Sequence, residues 1–124
     1  MSERNSNSCS GRTKFIFACS GAADVGAIAD RSARKIADHG IGKLFCLAGI
    51  GGRVEAIMEA TKSADRILAI DGCPMNCTHR CLEQAGFDSI THLKLADIGL
   101  EKGKSRVDSE NVWKVVMKAM EIIN

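Results

Sequence analysis

The sequence has no apolar stretch near the ~18 residues that a transmembrane helix requires. Its first eight residues, 1–8, also lack the basic start and the apolar middle of a signal peptide. We therefore expect a cytoplasmic protein with no membrane partner.

An excess of charge of one sign is missing as well. The formal net charge is +2, and acidic and basic residues are interspersed along the chain. Proteins that bind nucleic acid or an anionic membrane usually carry a concentrated basic patch. The sequence thus indicates no nucleic-acid partner, and it identifies no protein partner.

Residues 1–12 contain almost nothing apolar, so we expect them to form a disordered leader before a single domain at 13–124. Cys9 lies in this leader, and we interpret it as a spare exposed thiol, because a flexible tail cannot preorganise a site.

Cysteine is abundant, with six in 124 residues. In a reducing compartment, a chain rich in cysteine is better suited to metal binding or thiol chemistry than to disulfide bonds. This makes the positions of the cysteines the main guide to function.

Four apolar runs alternate with amphipathic patterns of helical period. The predicted strands fall at 14–19, 43–48, 66–70 and 90–96. Short βα connections favour right-handed crossovers and a mostly parallel four-stranded sheet. The expected fold class is α/β, a three-layer α/β/α sandwich with the flavodoxin-like strand order 2-1-3-4, in which the alternating fourth strand is an edge.

Cys19, Cys46 and Cys73 are equally spaced, and each follows one of these apolar runs. The predicted strand order places Cys19 between the other two, on strands ~4.8 Å apart, at the sheet edge where ligands bind in such folds. Cys77, in the helix that we expect to begin near Pro74, is the natural fourth ligand. The pattern predicts a zinc site with four thiol ligands, and an iron–sulfur cluster would be satisfied by the same set.

The neighbours of these cysteines have simpler interpretations. Asp71 is expected to cap the helix that follows it, although it could also orient a ligand. His79 lies on a different helical face from Cys77 and Cys81, so we interpret it as a surface histidine. Cys81 could be a core residue, a spare ligand or a redox partner.

The run Asp71-Gly72-Cys73-Pro74, together with Cys19-Ser20-Gly21 and Cys46-Leu47-Ala48-Gly49, resembles the DGC-domain family over about residues 13–120. The resemblance implies a small protein that binds zinc or another metal through four cysteines, which match Cys19, Cys46, Cys73 and Cys77. It assigns no role to Cys81 or Cys9.

Two classes of function follow. One is a metal-binding protein that stores, senses or transfers its ion. The other is a thiol redox or transfer enzyme that uses Cys73 with Cys77 or Cys81. A phosphatase of the Cys-x5-Arg type is disfavoured, because Cys46 reaches Arg53 one residue too late for that motif.

Overall fold

A computed structural model describes residues 13–123 and gives four strands and five helices within that range. The strands are β1 (Lys14–Ala18), β2 (Lys43–Leu44), β3 (Arg66–Asp71) and β4 (Ile90–Lys94). The helices are α1 (Asp24–Asp38), α2 (Leu47–Gly51), α3 (Glu55–Lys62), α4 (Cys77–Gln84) and α5 (Ser109–Ile123), and a 3-10 turn spans Leu95–Ile98. The predicted leader at 1–12 and its Cys9 lie outside the described residues.

The sheet is parallel throughout and has the order β2-β1-β3-β4, which confirms the predicted α/β class and strand order. β1 and β3 are covered on both faces, and the runs at 15–18 and 67–70 inside them are therefore apolar without alternation. The central pairing sets Phe17 beside Ala69. Because all the strands are parallel, their carboxyl ends lie at the same edge of the sheet.

Side chains from the two faces of the sheet form two separate cores. On one face, Ile16, Leu68 and Ile70 pack with α1 and α5. On the other face, Phe17, Ala69 and Leu82 pack with the segment from α2 to α4. None of the helices in residues 13–123 is long and apolar enough to cross a membrane.

The second strand is shorter than predicted. β2 ends at Leu44, although the N–H of Phe45 still donates to the Ile16 carbonyl at 2.9 Å. Cys46 is the N-cap of α2, and its Sγ accepts the N–H of Gly49 at 3.3 Å. The thiol cap turns the chain into a helix where the apolar pattern predicted continued strand.

The helix that carries the cysteine-rich motif begins later than predicted. Pro74 lies in a loop, and α4 starts at Cys77 after Asn76, whose φ of 55° is left-handed. A residue in that conformation interrupts a right-handed helix. Cys77 is therefore the first residue of α4, not a residue one turn inside it.

Candidate functional site

The Asp-Gly-Cys turn packs directly against the start of α1. A Cβ atom on Gly72 would lie 2.4 Å from the carbonyl oxygen of Val25, so only glycine fits at this position. The N–H of Gly72 donates to the Sγ of Cys19 at 3.3 Å. Gly72 thus joins the end of β1 to the loop that carries Cys73.

Asp71 caps α4 from a distance, which confirms the capping role expected from the sequence. Its side chain is 1% exposed, and its two oxygens accept the N–H groups of Thr78 at 2.7 Å and His79 at 3.0 Å. Asn76, the residue in the N-cap position, makes no capping bond with its side chain. The position of Cys77 is therefore fixed by a carboxylate at the end of β3.

Two histidines complete the surroundings of Asp71. His92 on β4 places its Nε2 atom 2.7 Å from the Oδ2 of Asp71. Because a carboxylate only accepts hydrogen bonds, Nε2 carries the proton of this bond. The ring of His79 stacks on that of His92 with centroids 4.4 Å apart, so His79 belongs to this network and is not an isolated surface residue.

The sheet register contained a signal for the pair of Asp71 and His92. Asp71 pairs with Lys94, and Ala69 pairs with His92. Residues two apart on one strand point to the same face, so Asp71 and His92 are diagonal neighbours. Sequence reasoning missed this contact because it placed the strands without a register.

Cys19 and Cys73 form the first group of thiols, on the face covered by α1 and α5. Both are partly buried. Burial raises the pKa of the Cys19 thiol, the N–H of Gly72 opposes that shift, and the nearby charges of Asp71 and Cys73 add to it. At neutral pH the free thiol of Cys19 is therefore protonated.

Cys46, Cys77 and Cys81 form the second group and line one cavity of about 580 Å³. Cys46 and Cys77 are exposed. Ala18 and Ser20 also line this cavity. Because these two residues flank Cys19 in the chain, the cavity opens at the sheet edge where the first group lies.

Cys81 lies deeper, where α4 packs on α2. Its Sγ lies 3.9 Å from the carbonyl oxygen of Leu47. Burial raises the pKa of Cys81, the positive charge of Arg53 lowers it, and the charge of Cys77 raises it again. Cys81 is therefore neither a fully buried core residue nor a free surface thiol.

Arg53 holds α2 against α4. Its guanidinium donates to the carbonyl of Ile50 at 2.8 Å and to that of Gln84 at 3.1 Å, so it joins the ends of α2 and α4. Its φ is 55°, a conformation that non-glycine residues rarely adopt. Sequence reasoning considered Arg53 only as part of a failed phosphatase motif and missed this structural role.

All four predicted ligands lie at or just beyond the carboxyl edge of the sheet. They are divided between the two groups: Cys19 and Cys73 on one side, and Cys46 and Cys77 at the cavity. Within residues 13–123, no three His, Cys, Asp or Glu side chains are placed so that they could hold a metal ion. The donor set is that of a soft-metal site, but the four thiols do not surround a single point.

Comparisons with known proteins identify the family of this chain. The family model described as "DGC domain" matches residues 15–119. The chain is 34% identical over 88 residues to the "Anaerobic and virulence modulator AnvM" of Pseudomonas aeruginosa, an alignment that covers 71% of this chain and 67% of that protein. No solved structure gives a significant match. Since that family model matches well over half of the chain, the chain belongs to the DGC-domain family.

Proposed function

We propose that this protein binds a thiophilic metal ion, zinc first, through Cys19, Cys46, Cys73 and Cys77, as a storage, sensing or transfer protein. The observation that supports the proposal is that four thiols from three βα junctions lie along one edge of the sheet. In open α/β sheets this edge is where ligands bind.

The chemistry of the donors supports zinc. Thiolates are soft ligands, and four of them satisfy a tetrahedral Zn²⁺ ion with bonds of about 2.3 Å. The five cysteines within residues 13–123 are free thiols, so all are available for coordination. An iron–sulfur cluster requires the same four ligands and is the variant of this proposal.

Binding must draw the two groups of thiols together. Cys73 lies in the loop between β3 and α4, and Cys46 lies at the junction of β2 and α2. Both residues lie in connections outside β1 and β3, so bringing their thiols together would move these connections rather than the central strands. Coordination would then couple the ends of three strands, so the ion should also stabilise the fold.

The name of the Pseudomonas relative describes a modulator. Of the three roles, that word favours sensing, in which occupancy of the site would control the activity of a partner. A sensor of this kind has to exchange its ion with the surrounding pool, and the exposed Cys46 and Cys77 suit such exchange.

Elemental analysis of the untagged protein, combined with its visible spectrum, tests the proposal. A colourless protein with one zinc per chain is the expected result, and brown colour with iron and sulfide would indicate the cluster. Cys77→Ser should lose the bound ion, whereas Cys9→Ser should keep it. Protein that contains neither metal nor cluster after metal-supplemented expression would overturn the proposal.

A thiol redox enzyme is the second candidate, favoured by the cavity shared by Cys77 and Cys81. One thiolate would attack a substrate disulfide, and the second thiol would release the product and form a protein disulfide. The protein thiols would lose two electrons and two protons, and the substrate disulfide would gain them. Rapid reduction of a small disulfide by the metal-free protein, lost in Cys77→Ser and in either Cys73→Ser or Cys81→Ser, would support this candidate.

A further inference from the structure

We infer that Cys81 is an exchange ligand, which together with Cys77 receives a thiophilic cation from a low-molecular-weight thiol complex in the cavity and passes it to the four-cysteine site. The inference rests on the proposed function and extends it, because the family resemblance gives Cys81 no role. It begins from the three thiols that line this cavity, Cys46, Cys77 and Cys81.

Cys77 and Cys81 are four residues apart on α4 and share one helical face. Cβ atoms at this spacing lie about 5–6 Å apart. Two sulfurs bound to one ion at about 2.3 Å each can be separated by at most about 4.6 Å, a distance that side chains at this spacing reach by rotation. The pair can therefore bind one ion while the carrier supplies the remaining ligands.

Cys81 lies between the second core, against which it packs, and the cavity, which it lines. Its Sγ contacts the backbone of α2 at the Leu47 carbonyl. The sulfur also faces Gly51 of α2, where an added Cβ atom would lie 3.5 Å from it, in ordinary van der Waals contact. Arg53, held by two backbone carbonyls, provides a positive charge near Cys81 that partly offsets the negative charge of a thiolate there.

Transfer proceeds by exchange of one thiolate for another. A metal–sulfur bond to the carrier breaks as a bond to Cys77 or Cys81 forms, and the proton released by the protein thiol is taken up by the carrier's thiolate. No electrons are transferred. Cys77 belongs to both the pair and the four-cysteine site, so the ion can move inward without being released to water.

The first test measures the exchange rate of zinc-loaded full-length protein. Zinc is removed by the chromophoric chelator 4-(2-pyridylazo)resorcinol in an excess of free cysteine, because release follows the delivery path in reverse. Cys81→Ser should still bind one zinc per chain but should exchange it about tenfold more slowly than the wild type. Cys9→Ser is the matched control and should exchange at the wild-type rate.

A second test needs no zinc. Phenylarsine oxide condenses with two nearby thiols, forming two As–S bonds and releasing water. In metal-free protein it should bridge Cys77 and Cys81, as mapped by peptide mass spectrometry, and Cys81→Ser and Cys81→Ala should each abolish that bridge. Circular dichroism checks that both variants are folded.

The outcomes separate the two claims. If Cys81→Ser and the wild type each bind one zinc and exchange it at the same rate, or if the arsenical bridges thiols other than Cys81, the exchange role is wrong. Neither result would contradict the four-cysteine site. Absence of zinc binding by the wild type and Cys9→Ser would overturn the proposed function, and the exchange role with it.

Discussion

Asp71 and His92 form a hydrogen-bonded pair of 2.7 Å at the carboxyl edge of the sheet, with the aspartate 1% exposed and the histidine side chain 18% exposed. The same carboxylate accepts the N–H groups of Thr78 and His79, the second and third residues of α4. One buried side chain therefore connects β3, β4 and the helix that begins at Cys77. The Asp-Gly-Cys motif is first a structural junction that positions thiols.

Replacing Asp71 should destabilise the protein strongly. In Asp71→Ala, two N–H groups of α4 and the His92 ring lose their buried acceptor, at a cost of about 3 kcal/mol of unfolding free energy. Urea denaturation followed by circular dichroism measures the effect. Asp97→Asn, at an exposed position, is the control and should unfold like the wild type. An unchanged midpoint for Asp71→Ala would show that the network does not hold α4.

Gly72 should tolerate no side chain. In Gly72→Ala the new Cβ would meet the Val25 carbonyl at 2.4 Å, so the loop or α1 must shift, which we expect to cost about 2–3 kcal/mol. Gly21→Ala is a matched control, because a Cβ there meets nothing within 4 Å. Denaturant midpoints of the two variants compare them directly, and equal midpoints would contradict the packing described for this turn.

Arg53 should control both helix packing and the reactivity of Cys81. Arg53→Gly keeps the backbone conformation but removes the guanidinium, so the pKa of Cys81 should rise further and its alkylation at neutral pH should slow. Loss of the bonds to Ile50 and Gln84 should also lower the unfolding free energy by about 1 kcal/mol.

Arg53→Lys separates the two effects. Lysine keeps the positive charge but lacks the forked guanidinium group that donates to two carbonyls. The reactivity of Cys81 should therefore stay near the wild-type value while the unfolding free energy falls. Iodoacetamide labelling mapped to residues gives the rates. An unchanged alkylation rate of Cys81 in Arg53→Gly would show that Arg53 has no electrostatic effect on this thiol.

Much of the fold was predictable because its signals are local. The unbroken apolar runs of β1 and β3 require cover on both faces, and the period of α1 predicts one buried stripe. Short crossovers then restrict the topology, and the strand order 2-1-3-4 brings the ends of three βα units to one edge. The location of Cys19, Cys46 and Cys73 follows from these features alone.

The details of the site depend on contacts between distant residues. The thiol cap at Cys46 ends β2 early, and the start of α4 is set by Asp71 rather than by Pro74. Neither contact leaves a periodic pattern in the sequence. The division of the thiols into two groups likewise depends on how each loop leaves its strand.

Thiol reactivity with and without a chelator tests the central claim most directly. The side chains of Cys46 and Cys77 are exposed, so only a bound ion can protect them from a thiol reagent. In metal-replete protein we expect Cys9 to react fast, Cys81 at an intermediate rate, and Cys19, Cys46, Cys73 and Cys77 not at all until a chelator is added. Labelling mapped by mass spectrometry should then show those four thiols becoming reactive together as the fold weakens. A single fast-reacting thiol among the four in metal-replete protein would contradict the shared site, and if that thiol is Cys73 the redox enzyme becomes the better account.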